Sequence, residues 1–141
     1  MANSNPIPAP NKLWIAVTNI CNLRCSHCLI KSGLKYESEL TKAEIFKIID
    51  DAIELGVKRI AFTGGEPLVR SDIFEIIKYA SKYNIRTYLE TNGMLLSSKV
   101  ISLLKKSNLG VLNLSLDGPD RHTHDAFRGT RGLFDRVIAN I

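Results

Sequence analysis

The fold is decided by residues 41–67, TKAEIFKIIDDAIELGVKRIAFTGGEP. Thr41 is followed three residues later by Glu44, which is the pattern of a capping box, and the apolar residues behind it recur at helical spacing as far as Gly56. Residues 59–63 then form the short apolar run of a strand, and two glycines follow directly. This stretch therefore predicts a helix that leads into a strand whose carboxyl end opens into a glycine-rich loop.

The same alternation continues on both sides of this stretch. Further strands are predicted at residues 13–18, 85–90 and 111–116, and further helices at 71–83, 97–106 and 133–141. Strands that alternate with amphipathic helices form right-handed βαβ units around a parallel sheet. Three complete units are present, so we predict one α/β domain over residues 13–141, preceded by an extended leader at 1–12.

Composition limits the classes of function. The chain has 141 residues, of which 45% are hydrophobic and 23% charged, as in a globular domain. No apolar run approaches the roughly 18 residues of a membrane span, and the N-terminus has no apolar signal core, so we predict a cytoplasmic protein without a membrane partner. The net charge is +5, but the one basic cluster, formed by Arg121, Arg128, Arg131 and Arg136, is interleaved with aspartates. A solvated basic surface is therefore favoured over nucleic-acid binding.

All three cysteines lie in residues 21–28, CNLRCSHC. An odd number of clustered cysteines in a chain without a secretion signal favours metal binding or reactive thiols over disulfides. Cys21, Cys25 and Cys28 can hold a [4Fe–4S] cluster at three corners, and because no fourth cysteine exists, one iron is left for a substrate or cofactor. A Cys₃His zinc site that includes His27 is the alternative, although zinc sites usually pair a CxxC with ligands far along the chain.

Polar motifs follow each later strand. Gly64-Gly65-Glu66-Pro67 follows the second, Thr91-Asn92-Gly93 the third, and Ser115-Leu116-Asp117 ends the fourth. Because the carboxyl ends of parallel strands share one edge, we expect these motifs to lie close to the cysteines. Taken alone, the first two are also typical of ordinary turns. His122 and His124 are predicted to be exposed loop residues outside the site.

The segments CNLRCSHC, TGGEP, TNG, SLDGP and HDAFRG together resemble the radical S-adenosylmethionine (SAM) enzymes. The resemblance is strongest to the branch that contains the molybdenum-cofactor GTP cyclase and the enzymes that modify peptides or haem precursors. It implies that Cys21, Cys25 and Cys28 bind a [4Fe–4S] cluster and that SAM is the second cofactor. The residues it implies for SAM binding are His27, Gly64, Gly65, Glu66, Thr91, Asn92, Ser115, Asp117 and Arg128.

The resemblance also suggests individual roles. His27 would line the adenine side, and the GGEP segment would receive the amino group of the methionine moiety. Ser115 and Asp117, two apart on a strand and thus on one face, would contact the ribose or methionine group. Arg128 would pair with the methionine carboxylate, for which a guanidinium is geometrically suited. No catalytic residue is implied beyond the cluster and SAM.

The activity implied is reductive cleavage of SAM to a 5′-deoxyadenosyl radical, which abstracts hydrogen from a peptide or small-molecule substrate during cofactor or peptide maturation. An electron donor such as flavodoxin or ferredoxin would be needed. The family fold is a (β/α)₆ TIM-like barrel, and this chain supplies about three and a half units, so we expect the N-terminal part of a core domain that a C-terminal half or a partner chain completes. The alternative is a non-catalytic iron–sulfur module for electron transfer or sensing. The identity of the substrate is not predicted.

Overall fold

The computed structural model describes residues 10–33, 36 and 38–141. In chain order the elements are β1 (Lys12–Thr18), α1 (Lys42–Glu54), β2 (Arg59–Gly64), α2 (Ile73–Ala80), β3 (Arg86–Thr91), α3 (Ser98–Lys106), β4 (Val111–Leu114), α4 (Arg121–Arg128) and α5 (Leu133–Ile138). A short 3₁₀ turn, Pro67–Val69, lies between β2 and α2. The predicted alternation of strands and helices is confirmed. The predicted leader falls largely on residues 1–9, which lie outside the described residues.

The four strands form one parallel sheet in the order β1-β2-β3-β4. Its register aligns Trp14, Ala61, Tyr88 and Val111 across the sheet. Because neighbouring strands are also consecutive and run in the same direction, their carboxyl ends meet at a single edge. The predicted α/β architecture is therefore present, and the loops with polar motifs follow that edge.

One face of the sheet carries the core. Ile15, Phe62 and Leu89 lie on this face and are buried against the first two helices, which contribute Ile49 and Ile76 among others. Fully burying a side chain of this size contributes about 1.5–3 kcal/mol. The apolar stripe of each helix therefore holds the helix on this face and leaves the strand ends accessible.

The opposite face is open in the described chain. Trp14 is 57% exposed there, and the ammonium of Lys12 lies 4.2 Å from the centre of its ring and 4.6 Å from that of Tyr88. An exposed tryptophan beside a cation on a parallel sheet is unusual, because such sheets are normally covered on both faces. The open face is what the prediction of a partial barrel requires.

The helix ends follow local chemistry. The capping box of α1 is confirmed, since the Glu44 carboxylate accepts from the Thr41 amide at 2.8 Å and the Thr41 hydroxyl accepts from the Glu44 amide at 3.3 Å. Gly56 follows α1 at φ +80°, a left-handed conformation that suits glycine. None of the described helices is long and apolar enough to cross a bilayer.

Two expectations for the C-terminal region are wrong. The fourth strand ends at Leu114, so Ser115 and Asp117 lie just beyond it and do not share a strand face. The segment predicted as a loop around His124 is the helix α4, which begins because the Asp120 carboxylate accepts from the Thr123 amide at 2.9 Å. His124 is consequently 0% exposed, whereas His122 on the same helix is exposed as predicted.

Candidate functional site

We call residues 19–33 the cysteine loop. Together with the carboxyl ends of the strands, this loop lines a cavity of about 430 Å³. Ten of the twelve residues predicted for the site line it: Cys21, Cys25, His27, Cys28, Gly64, Gly65, Thr91, Asn92, Ser115 and Arg128. The two that do not line the cavity are Glu66 and Asp117. The tertiary structure thus brings together residues from the strand ends, the loops that follow them and the end of α4, up to about a hundred positions apart.

The three cysteines are half-buried free thiols. The Ser32 amide donates to Cys28 Sγ at 3.2 Å, and the Leu23 amide donates to Cys21 Sγ at 3.4 Å. Such N–H donors stabilise thiolates and are among the groups that tune iron–sulfur clusters. Leu23 is itself buried against α5, so the loop between Cys21 and Cys25 is anchored by packing.

The two outer thiols differ in acidity. Burial alone would raise the pKa of Cys28, but hydrogen bonds from Ser32 and from the Ile30 and Lys31 amides outweigh it, and the pKa is lowered. Burial raises the pKa of Cys21 more than the Leu23 amide lowers it, and the nearby Glu66 carboxylate adds to the rise. Cys28 is therefore more readily available as a thiolate than Cys21.

The three thiols are chemically suited as donors to an iron–sulfur cluster. Within the described part of the chain, no three His, Cys, Asp or Glu side chains converge as the ligands of one metal ion do. A cubane cluster needs no such convergence, because each thiolate binds a different iron. His27 is turned toward Asp117, with Nε2 3.6 Å from Oδ2, and its ring packs edge-on against Phe127. Three donor thiols beside a cavity therefore fit a [4Fe–4S] cluster.

The two glycines after β2 allow this loop to pack tightly against the start of the cysteine loop. A Cβ on Gly64, where φ is +128°, would lie 2.2 Å from the Thr18 carbonyl oxygen, and one on Gly65 would lie 2.1 Å from that of Ile20. The Gly65 amide donates to the Thr18 carbonyl at 2.7 Å. The glycines are thus needed for packing of backbone on backbone in addition to any contact with a ligand.

Glu66 is 0% exposed and does not line the cavity. Its carboxylate accepts from the Thr91 hydroxyl at 2.7 Å, the Asn92 amide at 2.8 Å and the Leu68 amide at 3.0 Å. Burial raises its pKa, although these hydrogen bonds oppose the rise. In this structure Glu66 fastens the β2 loop to the β3 loop.

Asn92 joins the β3 loop to the cysteine loop. Its Nδ2 donates to Asn22 Oδ1 at 2.8 Å and lies 3.9 Å from Cys21 Sγ. Its Oδ1 accepts from the Met94 amide at 2.9 Å, which fixes the orientation of the side chain. Asn22 was not predicted as a site residue, and its only sequence signal is its position next to Cys21.

Asp117 forms a two-pronged ion pair with Arg128. Arg128 Nε and Nη2 donate to the two carboxylate oxygens, the latter at 3.1 Å. Arg128 Nη1 lies 3.9 Å from Cys25 Sγ. The Asp117 amide donates to Nδ1 of the buried His124 at 3.1 Å. His124 was missed as a contributor to the site, although the spacing of four residues that places it on the same helix face as Arg128 could have indicated it.

The carboxyl end of α4 is docked on the cysteine loop. The Ser26 amide donates to the Phe127 carbonyl at 2.9 Å. Gly129 ends the helix at φ +66°, and a Cβ on it would lie 2.7 Å from the Arg24 carbonyl oxygen. Ser115, which follows β4, donates its amide to the Thr91 carbonyl at 3.0 Å and so remains aligned with the β3 end.

Comparison with known proteins agrees with this geometry. Residues 15–141 match the family model of the radical SAM superfamily. The AdoMet-dependent heme synthase of Methanosarcina barkeri is 38% identical over 134 residues, which are 94% of this chain and 38% of that protein. The mycofactocin maturase MftC of Mycolicibacterium smegmatis is 36% identical over 132 residues, which are 94% of this chain and 33% of the maturase.

Solved structures show the same fold. Streptococcus suis SuiB bound to its precursor peptide SuiA superposes with a TM-score of 0.82 at 26% identity, covering 96% of this chain and 30% of SuiB. SuiB bound to S-adenosylmethionine gives a TM-score of 0.80 at 26% identity, covering 94% of this chain and 30% of SuiB. The chain thus spans about a third of the length of the proteins it matches, and the prediction of a partial radical SAM barrel is confirmed.

Proposed function

This chain belongs to the radical SAM superfamily, whose members use a [4Fe–4S] cluster and SAM, and we propose that Cys21, Cys25 and Cys28 hold the cluster and that SAM binds in the 430 Å³ cavity beside them. One observation carries the proposal: the three thiols and the loops after β2, β3 and β4 line the same cavity. A structural or electron-transfer module would need the thiols but not this set of loops. Three thiolates supply three of the four ligands of the cluster and leave one position for SAM.

The cavity offers groups suited to each part of SAM. The backbone at Gly64 and Gly65 would accept the methionine amino group, and Arg128 would pair with the carboxylate. The Ser115 hydroxyl would bind the ribose or methionine group. The His27 ring, with a 41% exposed side chain, would lie along the adenine.

The remaining predicted residues would act at two levels. Thr91 and Asn92 line the cavity but are also bonded within the chain. Glu66 and Asp117 would act by positioning, because Glu66 holds the β3 loop and Asp117 holds Arg128. This assignment modifies the expectation that both carboxylates contact SAM directly.

When bound, the cluster and SAM would together supply a 5′-deoxyadenosyl radical for hydrogen abstraction from a substrate. We propose a precursor peptide or a haem precursor as the substrate class, by analogy with a neighbour bound to a precursor peptide and relatives named as heme synthases. The residues of this chain would position SAM and exclude water. The proposal also includes an electron donor of the flavodoxin or ferredoxin type and the rest of the barrel. It places the protein in the cytoplasm, where conditions are reducing.

The test is low-temperature EPR of the anaerobically reconstituted and reduced chain, recorded with and without SAM. We expect a reduced [4Fe–4S] signal that changes when SAM is added, together with retention of labelled SAM in equilibrium dialysis. Cys25→Ala should lose the signal and the iron, whereas Ser71→Ala, at a residue that does not line the cavity, should keep both. A cluster signal that SAM does not alter would overturn SAM binding and favour the electron-transfer alternative.

A second measurement addresses the chemistry. Under reducing conditions with SAM, the reconstituted chain should release 5′-deoxyadenosine, which chromatography detects without knowledge of the substrate. The Cys25→Ala variant is the matched control and should release none. SAM binding without any 5′-deoxyadenosine would limit the function of this chain to cofactor binding.

A further inference from the structure

Arg128 is placed to act on the cluster as well as on SAM. Its side chain is only 12% exposed, and Nη1 lies 3.9 Å from Cys25 Sγ. Among the proposed ligands, the sulfurs of Cys21 and Cys28 accept hydrogen bonds from backbone amides. Cys25 is the ligand that has a guanidinium group beside its sulfur. A positive charge at this distance from a ligand sulfur acts directly on any charge that the cluster gains.

The guanidinium is held in this position by Asp117. Nε and Nη2 occupy both carboxylate oxygens, and because the fork is planar and rigid, this contact fixes the direction of Nη1. Of the five N–H groups of arginine, two are used on Asp117 and one faces Cys25, so two remain for the SAM carboxylate. The two roles of Arg128 are therefore compatible.

Asp117 is held in turn by His124. The ring of His124 is completely buried, and its Nδ1 accepts from the Asp117 amide at 3.1 Å. The ring is fixed by packing against Phe134, with ring centres 5.9 Å apart. Because Nδ1 accepts, the proton of the neutral ring lies on Nε2, which has no hydrogen-bond partner among the described residues. His124 therefore fixes the backbone amide of Asp117, although its own Nε2 is buried without a partner among the described residues.

We infer that Arg128, positioned by Asp117 and His124, raises the reduction potential of the cluster by placing a cation beside the sulfur of Cys25. This inference rests on the proposed function, because it requires the cluster. Reduction adds negative charge to the cluster, and a nearby cation stabilises that form more than the oxidised one. Charge and hydrogen bonding at the ligand sulfurs are established determinants of cluster potential.

The test is an EPR-monitored redox titration of the reconstituted chain without SAM. Arg128→Gln should make one-electron reduction about tenfold less favourable, which corresponds to a potential about 59 mV lower. Arg128→Lys keeps the charge but cannot bridge Asp117 and Cys25, so a smaller decrease is expected. Arg121→Gln is the matched control, since it removes the same charge from the same helix at an exposed ion pair with Asp135 and should leave the potential unchanged.

His124 is tested with a pair of variants that differ in one acceptor. His124→Asn keeps an oxygen near the position of Nδ1 and should retain most of the wild-type potential. His124→Leu fills similar space without an acceptor and should lower the potential in the same direction as Arg128→Gln. His122→Leu, at an exposed position on the same helix, should have no effect.

The outcomes separate this inference from the proposed function. A wild-type cluster that responds to SAM but keeps its potential in Arg128→Gln and Arg128→Lys would overturn the inference alone. If Arg128→Gln takes up no iron, an unchanged potential in both Arg128→Lys and His124→Leu would likewise overturn the inference alone. If the potential of His124→Asn falls as far as that of His124→Leu, the positioning role of His124 is overturned. Failure of the wild-type chain to form any cluster would overturn both proposals.

Discussion

Two carboxylates organise the segments that pack around the cysteine loop, Glu66 through the β2 and β3 loops and Asp117 through Arg128, and they do so by different means. Glu66 is completely buried, has no ion-pair partner among the described residues, and accepts from one hydroxyl and two backbone amides. Asp117 is partly exposed and is paired with Arg128. On the Glu66 side the contacts are neutral hydrogen bonds and close backbone packing, whereas on the Asp117 side a charged fork reaches the sulfur of Cys25.

The difference shows how one site can combine rigidity with control of charge. Buried neutral donors fix geometry without adding a charge of their own, and their precision depends on glycines that permit close backbone contact. The ion pair on the other side places a charge beside Cys25 and keeps it oriented. The Glu66 side should therefore dominate the stability of the site, and the Arg128 side its electrostatics.

The largest effect is expected for Gly65→Ala. The new Cβ would lie 2.1 Å from the Ile20 carbonyl oxygen, so one of the two backbone segments must move. We expect a loss of about 3 kcal/mol in the free energy of unfolding, measured by urea denaturation, and reduced iron uptake. Gly56→Ala is the control, since nothing lies within 4 Å and only its φ of +80° is unfavourable, so its loss should be clearly smaller. Equal losses would contradict the backbone-packing explanation.

Next in size is Thr91→Val, which removes the hydroxyl donor to the buried Glu66 carboxylate at nearly constant volume. We expect a loss of about 2 kcal/mol, because a hydrogen bond to a charged group is lost in a buried environment. Thr87→Val on the same strand removes an acceptor for the Gly110 amide and should cost about 1 kcal/mol. Thermal or urea unfolding of both variants checks the order, and a larger cost for Thr87→Val would show that the Glu66 network does not dominate.

On the α4 side, Gly129→Ala should cost about 1–2 kcal/mol. It introduces a Cβ at φ +66° and 2.7 Å from the Arg24 carbonyl oxygen, which is a milder clash than at Gly65. Gly132→Ala is the control, because φ is +80° and nothing lies within 4 Å, so its loss of stability measures the backbone conformation alone. A loss for Gly129→Ala that matches or exceeds that for Gly65→Ala would contradict the expectation that the Glu66 side dominates the stability of the site.

The smallest effect is a pH dependence that comes from Glu66. Because burial raises its pKa in the folded chain above the usual value, the unfolded chain releases the proton first as pH rises. The contribution to stability is present below the usual carboxyl pKa and is lost as pH rises through the raised value, by at most about 1.4 kcal/mol per pH unit. Urea midpoints measured from the usual carboxyl pKa upward should fall with pH in the wild type and fall less steeply in Glu66→Gln. Parallel profiles would contradict the raised pKa.

Much of the fold follows from local patterns. The capping box at Thr41 and Glu44, the helical spacing of the apolar residues, and the apolar run at residues 59–63 each act over a few positions, and the structure confirms the elements they predict. The segment around α4 was missed because its polar sequence gives little apolar periodicity. Its local signals for a helix were the Asp120 cap at the start and Gly129 at the end.

Within the site, the sequence by itself determined which residue types gather at the edge of the sheet, because the carboxyl ends of parallel strands must meet there. It also determined three thiols at a spacing that suits a cluster. Only the tertiary structure decided that Glu66 turns inward to Thr91, that Asp117 holds Arg128, and that His124 is buried behind them. These directions depend on which donors are nearest once distant segments pack. No local pattern in the chain specifies that proximity.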